Sequence, residues 1–200
     1  MIAAVFGFAS ASASACSHYE RGAPVPLRWT GVDAAPIPSP EVRSALAATP
    51  FAFGLRDVRR DPAQIGGYED SPAVVRTPDN VAQYCTQRLG DMLLRAGARL
   101  ADANPALVLQ AELVEYEAVE GEDFNGRAQI RATLSTGGAT VWTRTYSGGA
   151  KRWGRTHDPE RVNEVLSNAL ASIAAQLLSD GSFAAALRGQ PALAPPSAAP

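Results

Sequence analysis

The side chains best suited to acid–base chemistry in this sequence form a carboxylate group in its middle third: Glu112, Glu115, Glu117, Glu120, Glu122 and Asp123. Paired carboxylates can act as general acid and base when they are held close, and clustered ones can bind calcium. These acids fall on a predicted solvated strand face and turn, and no regular calcium-loop pattern is present. We interpret them as surface charges and predict no catalytic residue and no metal site.

A second candidate group is cationic and aromatic and lies in a predicted loop over residues 147–157: Lys151, Arg152, Trp153 and Arg155. Permanent cations beside an indole can contact phospholipid head groups, peptidoglycan or an acidic protein face. The alternative is that the indole covers a sheet edge while the cations stay solvated.

A third candidate contact surface is the long loop predicted over residues 59–76, which contains Arg59, Arg60 and Tyr68. Long loops within compact domains are often functional. This loop is predicted either to contact a partner or to be flexible.

The remaining sequence offers few further groups for catalysis. His157 adjoins Asp158, but neighbours in sequence need not pair, and Asp158 is also a predicted helix cap. Neither a serine nucleophile elbow, a phosphate-binding glycine motif nor a metal-ligand spacing occurs. We therefore expect a protein that is not an enzyme and uses no cofactor.

Composition restricts the classes of partner. The formal net charge is −2 and the isoelectric point is about 5.7, which disfavours nucleic-acid binding. Alanine accounts for 38 of the 200 residues, so the core is diluted with small side chains. The partners expected are a membrane and an envelope protein, and the oligomeric state is left open.

The N-terminus has the pattern of an export signal. Residues 2–9 are apolar and residues 10–15 are small, and the run is shorter than the roughly 20 residues that span a bilayer. Cys16 directly after Ala13-Ser14-Ala15 resembles the lipobox of bacterial lipoproteins, in which this cysteine is acylated and becomes the new N-terminus. The sequence departs from that pattern at Ala13, usually Leu, and lacks a basic residue before the apolar run. An ordinary cleaved signal is the alternative.

The resulting domain organisation is a signal peptide over residues 1–15, a lipid-anchored tether over 16–50, a folded domain over 51–187 and a disordered tail over 188–200. The tether is predicted from six prolines among Ala and Ser, with an edge strand near residues 27–32. In the lipoproteins that this sequence resembles, the residue after the acylated cysteine influences which membrane retains the protein. Ser17 at that position implies retention at the outer membrane, with the folded domain facing the periplasm.

Hydrophobic periodicity predicts an α+β fold in the order β-α-β-β-β-α. About four mainly antiparallel strands would carry two long amphipathic helices on one face. The predicted elements are strands over 51–58, 107–114, 127–134 and 141–146, and helices over 77–96 and 158–180. Cys85 lies on the apolar stripe of the first helix and is predicted to be a buried thiol.

This order, with Leu55-Arg56-Asp57-Val58-Arg59 ending the first strand and an Ile65-Gly66 loop, resembles the YajG-type lipoproteins and the auxiliary lipoproteins of envelope transporters. The resemblance implies an anchored, non-catalytic component that docks onto an envelope assembly. The alternative is a periplasmic module that binds a lipid or glycan between helices and sheet. Such a module needs a cavity of several hundred cubic ångströms, so cavity size separates the two hypotheses.

Overall fold

The computed structural model describes residues 22–31, 36–101, 105–154 and 158–189, which form a six-stranded sheet and four helices. The elements are α1 Pro40–Ala48, β1 Ala52–Asp57, β2 Gln64–Tyr68, β3 Ser71–Arg76, α2 Val81–Arg95, β4 Leu107–Glu120, β5 Asp123–Thr136, β6 Ala139–Trp153, α3 Pro159–Ser179 and α4 Gly181–Leu187.

The sheet is built around the long strand β4. Strands β4, β5 and β6 form an antiparallel meander, and β1 and β2 both pair in parallel with the other edge of β4. Strand β1 pairs with residues 108–113 of β4, and β2 pairs with residues 118–120 of the same strand. Strand β3 completes the sheet as the antiparallel partner of β2.

The two faces of this sheet differ in polarity, as alternation predicts. The helix face carries buried apolar side chains such as Leu109, Ile130 and Tyr146. The other face, called the open face below, is polar and includes Glu112, Glu117, Arg127, Gln129, Arg131, Thr143, Thr145 and Ser147. The four described helices therefore lie on one side of the sheet.

Helix α3 lies directly on the backbone of β5 and β6. A Cβ at Gly148 would overlap the carbonyl oxygen of Ala169, and one at Gly126 would overlap that of Val165. These two glycines let the helix approach more closely than any side chain allows, so α3 lies in backbone contact with the sheet at both points.

Both long helices and the α+β class follow the sequence prediction, and Cys85 is buried as expected. Asp158 caps α3, and Pro159 occupies its first turn. Helix α2 begins later than predicted: Asn80 is its cap and accepts from the Gln83 N–H, while Thr77 Oγ1 accepts from the Asp79 N–H in the turn before the helix.

The predictions of four strands and of the order β-α-β-β-β-α were wrong. The segment predicted as a loop over residues 59–76 contains the hairpin β2–β3, and the loop predicted over 147–157 is the second half of β6 as far as Trp153. Glycines suggested loops at both places. At Gly66 a Cβ would overlap the carbonyl oxygen of Ala118, so this glycine serves close strand packing instead of a turn.

Much of the predicted tether is packed against the domain. Helix α1 buries Val42, Ala45 and Leu46, and the extended residues 22–31, called the strap below, bury Val25. The predicted edge strand near residues 27–32 is absent from the described part of that range, because the strap pairs with side chains rather than with a strand.

Two buried polar side chains of α3 hold the strap. The Asn163 side chain accepts from the Arg28 N–H at 2.9 Å and donates to the Pro26 carbonyl at 3.0 Å. Ser167 Oγ accepts from the Thr30 N–H at 3.3 Å. These contacts satisfy backbone groups of the strap beyond Val25, whose own N–H donates to the Arg76 carbonyl oxygen of β3 at 2.8 Å.

Among the described helices, none is by itself long and apolar enough to cross a membrane. Helices α3 and α4 together have the length and apolar composition of a membrane span, but a bend of 62° separates them.

Substituting Gly148 tests the close approach of α3. We expect Gly148→Ala to lower the Tm by about 5 °C or more, because overpacking costs about 1–3 kcal/mol or more in a domain of this size. The matched control is Gly149→Ala, whose added Cβ would meet nothing nearer than the Gly126 carbonyl oxygen at 3.8 Å. Equal melting temperatures for the two variants in thermal unfolding would contradict the packing argument.

Candidate functional site

Arg59, a predicted contact residue, is buried inside the fold. Its guanidinium group and the Asp57 carboxylate are each 8% exposed, and Arg59 Nη2 donates to Asp57 Oδ2 at 2.7 Å. Nε also donates to Asp57 Oδ1, at 3.0 Å. Nη1 donates to the carbonyl oxygens of Gln64 and Tyr116 at 2.6 and 3.0 Å, and Nη2 donates to that of Pro62 at 2.7 Å. The side chain is thus fully used within the chain, which makes it a structural residue.

The position of Arg59 explains why it is needed. Tyr116 lies in the stretch of β4 between the residues paired with β1 and those paired with β2. Its carbonyl oxygen would lack a ladder partner there, and the guanidinium group supplies one. The Asp-x-Arg feature of the sequence therefore joins three strands. Arg60, the next residue, is exposed and stays a candidate contact.

The structure brings Tyr68 and the cationic group to the same end of the sheet. Tyr68 pairs with Glu120, Glu120 with Phe124, and Phe124 with Arg152. Three strand spacings, or about 14 Å, therefore separate Tyr68 from Arg152. We call Tyr68, Lys151, Arg152 and Trp153 the sheet rim.

The rim combines an exposed indole with ion-paired cations. Trp153 is 83% exposed, the largest exposed fraction among the large apolar side chains described. Lys151 Nζ lies 2.6 Å from Asp123 Oδ2, and the hydrogen bond and charge of that carboxylate raise the pKa of Lys151. Arg152 Nε lies 3.5 Å from Glu164 Oε2. Exposed pairs of this kind are weak, so the cations can exchange partners.

The candidate residues Cys16, Arg155 and His157 lie outside the described residues, as do the predicted signal peptide, Ser17 and residues 190–200 of the predicted tail. Asp158 is described, and its carboxylate accepts from the backbone N–H of Glu160 at 2.9 Å, as a cap does.

The carboxylates of the middle third are dispersed along β4 and β5. Glu112 pairs with Arg131 and Arg56 on the open face, and their hydrogen bonds lower its pKa. Burial and the neighbouring Glu117 raise the pKa of Glu115. Within the part of the chain that the structure describes, no three His, Cys, Asp or Glu side chains are grouped to hold a metal ion.

The space between the helices and the sheet is nearly filled. The apolar cavity there, lined by residues that include Phe53, Leu89, Leu93 and Ile130, has a volume of about 10 Å³. That is room for roughly one water molecule. Small alanine side chains, such as Ala111, Ala132 and Ala174, let the layers close without leaving a pocket.

One polar cluster was not anticipated from the sequence. Asp180, the shared boundary of α3 and α4, accepts hydrogen bonds from Tyr146 at 2.6 Å and from Ser182 Oγ at 2.7 Å. Burial alone would raise the pKa of Asp180, but these hydrogen bonds and Arg144 hold it below its usual value. The cluster fixes the bend between the helices. The Asp-Gly-Ser sequence at residues 180–182 is a capping signal for α4.

Removing the Arg59 guanidinium tests its structural role. We expect Arg59→Met to reduce the free energy of unfolding by about 3–5 kcal/mol, because the Asp57 carboxylate is left buried without its partner. Arg60→Met is the matched control, and a change within about 0.5 kcal/mol is expected for this exposed neighbour. Urea denaturation measures both, and a cost below about 1 kcal/mol for Arg59→Met would refute the assignment.

No family model and no curated protein matches the sequence. Among solved structures, a Xanthomonas campestris protein of the DUF330 family has a TM-score of 0.53 at 14% identity, over 78% of this chain and 91% of that chain. PelC from Paraburkholderia phytofirmans, a dodecamer, has a TM-score of 0.43 at 17% identity, over 73% and 92%. A minor lipoprotein from Acinetobacter baumannii has a TM-score of 0.42 at 12% identity, over 65% and 89%. The chain therefore shares its fold with the DUF330 protein.

Proposed function

We propose that this chain is a lipoprotein of the bacterial cell envelope, acylated at Cys16, whose domain acts by binding another envelope protein and catalyses no reaction. The observation that carries the proposal is the closed helix–sheet core beside an exposed sheet rim. The helices leave a cavity of about 10 Å³, while Trp153 at the rim is 83% exposed. The surface is therefore the part of the domain equipped for recognition.

The same cavity argues against the alternative of a lipid- or glycan-binding module. A ligand of drug-like size needs a pocket of about 300–1,000 Å³. Opening that space would require α2 and α3 to separate from the sheet, and Gly126 and Gly148 hold α3 in direct backbone contact with it. Two grooves on the surface have volumes of about 450 and 380 Å³, but they do not lie between the helices and the sheet, where this alternative places its ligand.

The packed strap supports a location close to the membrane. Cys16 and Gly22, the first residue of the strap, are six positions apart, so the covalent chain between them spans at most about 21 Å. A free tether reaching residue 50 would span roughly five times more. An acyl group on Cys16 would thus keep the domain within contact range of membrane-bound partners, facing the periplasm on the outer membrane.

The rim chemistry indicates the kind of partner surface. An exposed indole beside cations in weak ion pairs suits an acidic face with an apolar centre. On binding, Lys151 and Arg152 would exchange Asp123 and Glu164 for carboxylates of the partner. Tyr68 is half-buried against the core, and its exposed part would extend the contact across the end of the sheet.

Acylation is tested by labelling cells with radioactive palmitate. We expect label on the wild-type chain and none on Cys16→Ala. Cys85→Ala is the matched control, because the buried Cys85 thiol is not accessible for acylation, and this variant should keep its label. Label that persists on Cys16→Ala would rule out the proposed anchor.

The contact surface is tested by crosslinking the chain in cells and identifying its partners by mass spectrometry. We expect the double variant Lys151→Glu, Arg152→Glu to reduce capture of a specific envelope protein by about tenfold, since like charges would then face the acidic surface. The double variant Arg43→Glu, Arg99→Glu changes the net charge by the same amount at exposed positions away from the rim, and it should capture normally. Unchanged capture by the double variant would exclude the rim from the interface.

A further inference from the structure

Arg161, in the first turn of α3, donates to the end of strand β6. Its Nη1 donates to the Trp153 carbonyl oxygen at 2.5 Å, and its Nε lies 3.6 Å from Asp158 Oδ2. Trp153 is the last residue of β6, and Asp158 is the cap of α3. One guanidinium group therefore holds both the end of this strand and the start of this helix.

We infer that Arg161 is the positioning residue of the sheet rim: it fixes the backbone of Trp153, so that the indole is presented to the partner in one place. This inference rests on the proposed function, in which the rim is the contact surface. Arg161 differs in its role from Lys151 and Arg152, whose partners are side-chain carboxylates. Those two cations can turn to a carboxylate of the partner, whereas Arg161 bonds a backbone oxygen and belongs to the support of the rim.

The Trp153 side chain depends on its backbone for its position. The indole is 83% exposed, so little packing holds it. On one side Trp153 pairs with Asp123 of β5, and on the other side no further strand follows β6 in the described part of the sheet. The Arg161 contact supplies the fixation at this strand end. An aromatic side chain that is held in place before binding loses less conformational freedom on contact.

Gly154, the residue after Trp153, is a second observation that points to this contact. Its φ is +123°, in the left-handed region that favours glycine. A Cβ at Gly154 would overlap Arg161 Nη1. Glycine at this position therefore serves both the backbone conformation and the close approach of the guanidinium group to the Trp153 carbonyl oxygen.

The turn of α3 that carries Arg161 is itself held in place. Asn163 is 3% exposed, and its side-chain amide donates to the carbonyl oxygens of Pro159 in the same turn and of Pro26 in the strap, both at 3.0 Å. Residues 161 and 163 lie about 200° apart around the helix, so the rim and the strap contact different sides of one turn. Arg161 thus acts from a rigid element, which a positioning residue requires.

NMR relaxation of the full chain tests the fixation of the rim. We expect the order parameter of the Trp153 backbone amide to be about 0.85 in the wild type and below about 0.6 in Arg161→Met, because the carbonyl group loses its donor. Arg161→Lys keeps the charge and can still donate, so its value should lie between these two. Arg99→Met is the matched control at an exposed position away from the rim, and it should leave Trp153 unchanged.

Gly154→Ala tests the same contact from the side of the strand. It should loosen Trp153 as Arg161→Met does, and the double variant should loosen it no further, because each change removes the same hydrogen bond. Gly138→Ala is the control for backbone strain. Gly138 also has a positive φ, of +83°, but a Cβ there would meet nothing within 4 Å, and this variant should leave Trp153 unchanged.

Crosslinking in cells then connects the fixation of the rim with recognition. We expect Arg161→Met to reduce capture of the envelope partner about three- to tenfold while its circular dichroism stays unchanged, because the indole must then be ordered on binding. Wild-type order at Trp153 in Arg161→Met, or undiminished capture despite lost order, would overturn the inference. A wild type that captures no envelope protein would overturn the proposed function instead, and the order parameters would still decide whether Arg161 fixes the rim.

Discussion

The buried ion pair between Arg59 and Asp57 is the interaction on which the architecture depends. Strand β4 receives two parallel neighbours on one edge, and a change of neighbour leaves backbone groups without a ladder partner. A guanidinium group with five donors in one plane can serve several carbonyls at once, which no neutral side chain can do. Its charge is tolerated in the interior because Asp57 is buried beside it. The junction of β1, β2 and β4 is thereby fixed.

With that edge fixed, the other half of the fold is set by backbone contact between α3 and the sheet. Gly126 and Gly148 bring the helix down onto β5 and β6, and alanines on the facing layers complete the close fit. The cost of this arrangement is the absence of an internal pocket. The cavity between the described helices and the sheet is about 10 Å³, and for this reason we place the proposed function on the surface, at the sheet rim.

The strap and α1 change the relation between the predicted anchor and the folded domain. Proline-rich sequence is compatible with an extended segment whether it is free or docked, because proline restricts φ without specifying a partner. The strap is docked because the side chains of Asn163 and Ser167 form hydrogen bonds with its backbone. They lie some 135 residues away in sequence, so no local pattern near the prolines contains that information.

The sequence by itself determined the α+β class, both long helices, the central antiparallel strands and the burial of Cys85, because hydrophobic periodicity and capping residues are local signals. Residue type also led us to propose Tyr68, Lys151, Arg152 and Trp153 as candidate contact residues. Only the tertiary structure decided that these four share one rim, that Arg59 is internal, and that glycines at 66 and 148 lie within strands. A glycine that permits a turn and one that permits backbone contact look identical in sequence, since the neighbour that would collide with a side chain is supplied by a distant segment.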